Sequence, residues 1–203
     1  MKKVSLLIAI IMLVSLCIVS CGSKPNDTPF AAGTLDENGY TSDWLGLSFK
    51  PTETMEMMSA EDLEFLMQSS GSGYTTDDEK LDYSKIPTAY EMVATDTQTI
   101  GSVLIMAQYA DEEMTVETYI EDIKKQFDSS ILADNGISAP TYSDLTQKKL
   151  AGREYTVFSY TFDTDGLGQT MYIAKIEDRI ANICFTHGST QELDGFLACF
   201  TKN

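Results

Sequence analysis

Few residues in this chain have the type and spacing needed for chemistry. His187 is the only histidine among 203 residues, so a serine hydrolase would need it as base, with Ser189 or another hydroxyl as nucleophile. No Gly-x-Ser-x-Gly elbow accompanies it, and His187 reads as a residue at a strand end. Asp163-Thr164-Asp165-Gly166 has the opening of a calcium loop. The twelfth position of such a loop should be a bidentate Glu and is Ala174 here, so the match fails. Asp-Gly between two β-prone runs is hairpin chemistry instead. Acid pairs such as Glu112-Glu113 are too common in so acidic a chain to imply acid–base catalysis. The sequence has no Gly-rich phosphate loop, no paired-cysteine motif and no nucleotide fingerprint. It therefore assigns no catalytic residue, no metal ligand and no cofactor.

Cysteine carries more information. Cys184 falls in a predicted strand and Cys199 in a predicted terminal helix that should pack nearby. They either form a disulfide, which an oxidising compartment permits, or act as two small buried hydrophobes. The N-terminal cysteines sit in a different setting. Met1-Lys2-Lys3 is a short basic start, and residues 4–19 are uncharged and mostly Leu, Ile and Val. That run has secretory length and is short for a permanent membrane span. It ends in Ile18-Val19-Ser20-Cys21-Gly22, which resembles the lipobox of bacterial lipoproteins. The resemblance covers residues 1–22. It implies a cleaved signal peptide of residues 1–20, a diacylglycerol on the Cys21 sulfur and an acylated new N-terminus. Two or three acyl chains anchor stably where one binds marginally. The expected location is the extracytoplasmic face of the cell membrane.

The formal charge of −17 repels nucleic acid and anionic lipid head groups, so both are poor partners. A basic protein, a cationic peptide, a polyamine or a metal ion fits the charge better. The acid is concentrated in residues 53–82, where nine acids face one base, Lys80. Met55, Met57, Met58 and Met67 lie in the same stretch. Carboxylates beside adaptable methionines could form a docking surface for a basic partner, with Glu61, Glu64, Asp77, Asp78, Glu79 and Asp82 as its acids. The plain alternative is a solvated helix with its Met and Leu residues in the core.

The elements that must position these groups follow from periodicity. Residues 21–39 are rich in Gly, Ser, Pro, Asn and Asp and read as a tether. Residues 40–203 read as one domain. Residues 43–49 are expected as the first strand. Ser59 looks like an N-cap for a helix over 60–69, with Asp62 three residues on. Residues 89–94 and 102–109 form a hairpin. Thr115 opens the clearest helix, with Val116, Tyr119, Ile120, Ile123 and Phe127 on one face and Gly136 as its stop. Strands follow at 142–150, 154–162, 169–176 and 180–186. A last helix is capped by Ser189 or Thr190, with Leu193, Phe196, Leu197 and Phe200 on its apolar face. Consecutive hairpins between helices predict an α+β fold, an antiparallel β-sheet flanked by helices. The strands alternate weakly and are largely apolar, as expected for a sheet covered on both faces.

With these elements in place the chain resembles the PsbP-like family of α/β/α sandwiches, over about residues 40–201. That family includes an extrinsic photosystem subunit, a Ran-binding import factor and many bacterial lipoproteins. The matching residues are Trp44-Leu45-Gly46-Leu47-Ser48-Phe49-Lys50-Pro51, the helix around Tyr119 to Phe127, Leu150-Ala151-Gly152-Arg153-Glu154, and Gly188-Ser189-Thr190 with Leu193, Leu197 and Phe200. The resemblance implies a scaffold with little shared chemistry, so no functional residue is carried over from it. The expected function is a membrane-anchored, non-catalytic protein-binding or assembly module. The alternative is a small-ligand or cation-binding surface lipoprotein. An extracytoplasmic hydrolase would need a shaped pocket lined by perturbed carboxylates or by His187.

Overall fold

The computed structural model describes residues 31–69, 86–127, 139–162 and 167–203. The frame is the antiparallel hairpin of β5 (Thr88–Asp96) and β6 (Ser102–Tyr109) joined to the meander of β9 (Arg153–Thr161), β10 (Gly168–Ile176) and β11 (Arg179–His187). β11 pairs with β6, so a sheet forms in the order β4-β5-β6-β11-β10-β9-β7, with β4 at Met55–Met57 and β7 at Thr141–Tyr142. β8 (Thr146–Leu150) also pairs with β9. Every pairing described is antiparallel. The expected α+β class is therefore the observed one.

Period-two alternation sends neighbouring residues to opposite faces. Leu104, Met106, Met171, Ile173 and Cys184 face one core. That core is closed by α1 (Ala60–Ser69) and α2 (Val116–Phe127). They contribute Leu63 and Met67, and Tyr119, Ile120, Ile123 and Phe127. Val103, Ile105, Tyr172, Ile183 and Phe185 face the second core. It is closed by α3 (Thr190–Leu197) and by a small second sheet of β1 (Thr34–Asp36), β2 (Gly39–Ser42), β3 (Leu47–Phe49) and β12 (Phe200–Lys202), in the order β1-β2-β3-β12. Burial on both faces is why the central strands lack a polar side, each buried aliphatic side chain contributing about 1.5–3 kcal/mol. The helix starts follow the capping expectation. Asp62 N–H donates to Ser59 Oγ at 3.1 Å, Thr118 N–H to Thr115 Oγ1 at 3.2 Å, and Glu192 N–H to Ser189 Oγ at 3.1 Å.

The small sheet corrects several expectations. Residues expected at the end of a tether form β1 (Thr34–Asp36) and begin β2 (Gly39–Ser42). Asp36 Oδ1 accepts the N–H groups of Asn38 at 2.7 Å and Gly39 at 3.1 Å, so this polar stretch is a tight turn. The expected strand over 43–49 is only β3 (Leu47–Phe49), because residues 43–46 turn with Gly46 at a φ of 69°. The expected strand over 142–150 is split into β7 and β8. The last helix ends at Leu197, and Phe200 opens β12 (Phe200–Lys202) beside β3 instead of extending the helix. The expected stop at Gly136 and the turn at residues 163–166 lie outside the described residues.

The sequence leaves two readings of Cys184 and Cys199 open, a bridge or two small buried hydrophobes. Cys184 and Cys199 are both free and buried. Cys184 packs in the core under α1 and α2, and Cys199 packs in the core on the opposite face of the sheet. A sheet stands between their environments, so they serve as the two small hydrophobes of the alternative reading. Burial pushes the Cys184 thiol up to about 12, which makes it inert.

Candidate functional site: a methionine-lined groove with an acidic rim

β4 begins after Pro51, with Met55 N–H donating to Thr52 O at 3.1 Å. It is short and, among the described residues, ends the large sheet with a single partner, β5. The chain then passes through Met58 and Ser59 into α1. These residues line a groove of about 380 Å³ formed by Pro51, Met55, Met57, Met58, Ser59 and Ala60 with Leu35, Asp36 and Glu37 of the β1 hairpin. Met55 is buried, Met57 and Met58 are half-buried, and Asp36, Glu37, Glu53, Glu56, Glu61 and Asp62 are exposed around them. Lys50 is the only base between residues 31 and 69. The site thus combines thioethers that adapt to the shape of a partner with a field of one sign. On the same helix Phe65 is 71% exposed.

The structure brings together part of what the sequence singles out. Glu61 is exposed and Glu64 half-buried on α1. Asp77, Asp78, Glu79, Asp82 and Cys21 lie outside the described residues. Met67 is fully buried in the core under α1, as the plain alternative requires. Sequence composition hides Leu35, Asp36 and Glu37, because their polar segment reads as tether. The available signal is Asp36-Glu37-Asn38-Gly39, a turn sequence between Leu35 and Tyr40.

Elsewhere, the side chains a hydrolase would need are already engaged. His187 Nε2 meets Thr170 Oγ1 at 2.9 Å, and Thr170 Oγ1 meets Ser159 Oγ at 2.9 Å. Burial lowers the basicity of His187, opposed by nearby Glu192. Ser189 Oγ serves as the helix cap, so the His187–Ser189 pairing that a hydrolase would need is not formed. The buried carboxyl of Glu91 sits at a β-bulge between Tyr90 and Met92. It accepts from Gly33 N–H at 2.8 Å and from the Tyr40 hydroxyl. Among the described residues no set of three His, Cys, Asp or Glu side chains converges for a metal ion, and no helix is long and apolar enough to cross a membrane.

The strand order and the helices that flank it define an antiparallel α+β protein whose groove lies where its two sheets expose their edge strands β4 and β1. No protein-family model matches the chain, and no curated protein matches it. Among solved structures, the solution structure of cyanobacterial PsbP (CyanoP) from Synechocystis sp. PCC 6803 aligns over 90% of this chain and 99% of that chain, at 11% identity and a TM-score of 0.48.

Proposed function

We propose that the protein is a membrane-anchored, extracytoplasmic module that captures a basic protein or peptide without chemistry of its own. The groove of Met55, Met57 and Met58 under an acidic rim is the observation that carries this reading. A partner with an apolar anchor and flanking Lys or Arg would bury the first and pair the second. The lipid on Cys21 would hold the groove at the outer membrane surface. The engagement of His187 by Thr170 and of Ser189 by α3 supports a non-catalytic role. Two measurements test the reading. Intact mass of the native protein should give a chain starting at a diacylated Cys21, and Cys21→Ser should move the protein from membrane to soluble fractions. Neutralising Asp36, Glu37, Glu56 and Glu61 at the groove together with Glu64, Asp77, Asp78, Glu79 and Asp82 to Asn or Gln should weaken capture of a lysine-rich peptide; undiminished capture would remove the docking surface.

The groove volume also supports a second reading, a small-ligand or cation-binding surface lipoprotein, since small-ligand sites span roughly 300–1,000 Å³. A thermal-shift screen with Ca²⁺, Mg²⁺, Zn²⁺ and small ligands separates the two, because a ligand that binds only the folded chain raises its melting temperature.

A further inference from the structure

We propose that the partner enters this groove as an extended basic segment and adds to the large sheet as a new strand beside β4. The proposal rests on the partner-binding reading above and specifies its geometry. β4 is the last strand of its sheet and has no strand partner on its outer side among the described residues. Its hydrogen-bond direction can be read from its ends. Thr97 N–H donates to Thr54 O at 2.8 Å, and Met58 N–H donates to Val93 O at 2.9 Å. Successive residues of an antiparallel strand direct their backbone groups to alternate sides. Residues 54, 56 and 58 therefore face β5, and residues 55 and 57 face away from it. Met55 N–H is taken by Thr52 O. The outward groups are the Met55 carbonyl and both backbone groups of Met57.

Met55 and Met57, which carry those groups, line the groove. Strand addition takes its affinity from such main-chain groups and its specificity from pockets for alternate side chains. An extended segment here would place every second side chain on the methionines. Its intervening side chains would lie on the face of β4 that carries Glu56, and Asp36 and Glu37 border the methionine groove itself, which selects alternating apolar and basic residues. β4 is only three residues long, and short edges resist promiscuous pairing. The side chains must then supply part of the affinity, which is what the acidic rim and the methionines provide.

The test uses the full chain and three labelled octapeptides read by fluorescence anisotropy: alternating lysine and valine, alternating glutamate and valine, and the lysine peptide N-methylated at alternate backbone nitrogens. Two variants accompany them. Met57→Leu keeps the backbone and an apolar side chain, whereas Met57→Pro removes the outward N–H together with the thioether, a backbone change an edge strand tolerates, so the methylated peptide isolates the main-chain part. Strand addition predicts that the lysine peptide binds and the glutamate peptide does not. It also predicts that Met57→Pro and peptide N-methylation each weaken binding about tenfold, while Met57→Leu stays within about twofold. Undiminished binding to Met57→Pro and by the methylated peptide would overturn strand addition and leave side-chain capture standing. Failure of the lysine peptide to bind, or equal binding of both charges, would overturn the underlying partner reading as well. Should Met57→Pro not fold, the methylated peptide against the unaltered protein distinguishes strand addition from side-chain capture by itself.

Discussion

The hydroxyl of Tyr40, on β2 of the small sheet, donates to the buried carboxyl of Glu91 at the bulge of β5. The same Glu91 oxygen accepts the N–H of Gly33. One buried carboxyl thus joins the small sheet and the chain entering it to β5 of the large sheet. Burial raises its proton affinity above the ordinary carboxylate value near 4.5. Tyr40, Gly33 and the positive charge of Arg179 oppose that shift in part.

Protonation follows from this sign. The folded state holds the Glu91 proton more tightly than the unfolded chain does, so stability contributed by this residue falls as pH rises through the raised value. The melting temperature should decline with pH starting near pH 4.5, on top of other titrations. Glu91→Gln should flatten that component while keeping an oxygen acceptor for Tyr40 and Gly33. Melting curves of both proteins between pH 4 and 8 measure it, and identical slopes would contradict the assignment. Tyr40→Phe removes one donor and should cost about 1–3 kcal/mol.

The cysteines offer a redox prediction. Cys184 is 3% and Cys199 8% exposed, on opposite sides of the sheet. Burial raises both thiols. A thiol reagent should react with neither until denaturant opens the chain, and a reductant should leave the melting temperature unchanged. A reductant-sensitive melting temperature would mean that they bridge.

Legibility in the sequence depends on how local each element is. α2 announces itself through Tyr119, Ile120, Ile123 and Phe127, because a helix face repeats within four residues. β10 and β11 are joined by the short turn at Glu177 and Asp178, so their pairing is also readable. The small sheet is not. β12 pairs with β3 across roughly 150 residues, and strands of three or four residues leave no period to detect. That hides the side of the groove formed by Leu35, Asp36 and Glu37. Met55, Met57 and Met58 stand out by composition, but Asp36 and Glu37 sit in a stretch whose composition reads as tether. The face on which Cys199 packs is hidden for the same reason, since it depends on where β12 docks.

The two helices differ in what their packing should cost to disturb. Ile123 is buried under α2 against the central strands, so Ile123→Ala should lose about 2–5 kcal/mol. Ser59 caps the exposed start of α1, and Ser59→Ala should lose about 1 kcal/mol. Chemical denaturation of each variant gives the comparison. A Ser59 effect as large as that of Ile123 would mean that α1 contributes more to the fold than its packing indicates.

Gly39 marks the junction between the hairpin and β3. Its φ is 149°, and a Cβ there would lie 2.1 Å from the Phe49 carbonyl oxygen. Backbone cannot yield as a side-chain tip can, so Gly39→Ala should destabilise the small sheet and displace Asp36 and Glu37 from the groove rim. Two readings on one variant are expected to move together: a lower melting temperature and weaker binding of the lysine–valine peptide. A drop in stability with unaltered peptide affinity would separate the β1 hairpin from the binding surface.

Salt distinguishes the rim from the methionines. Exposed carboxylates act through a field screened over about 10 Å at 0.1 M salt, whereas thioether contacts bury apolar area and do not weaken with salt. Affinity for the lysine–valine peptide should fall about tenfold between roughly 50 and 500 mM NaCl and then level off at the apolar contribution. Asp36→Asn, Glu37→Gln and Glu56→Gln together should remove most of the salt-dependent part and leave the plateau. Replacing Met57 with Ala should lower the plateau and leave the slope. A binding curve without salt dependence would mean that the acidic rim keeps the protein soluble and takes no part in recognition.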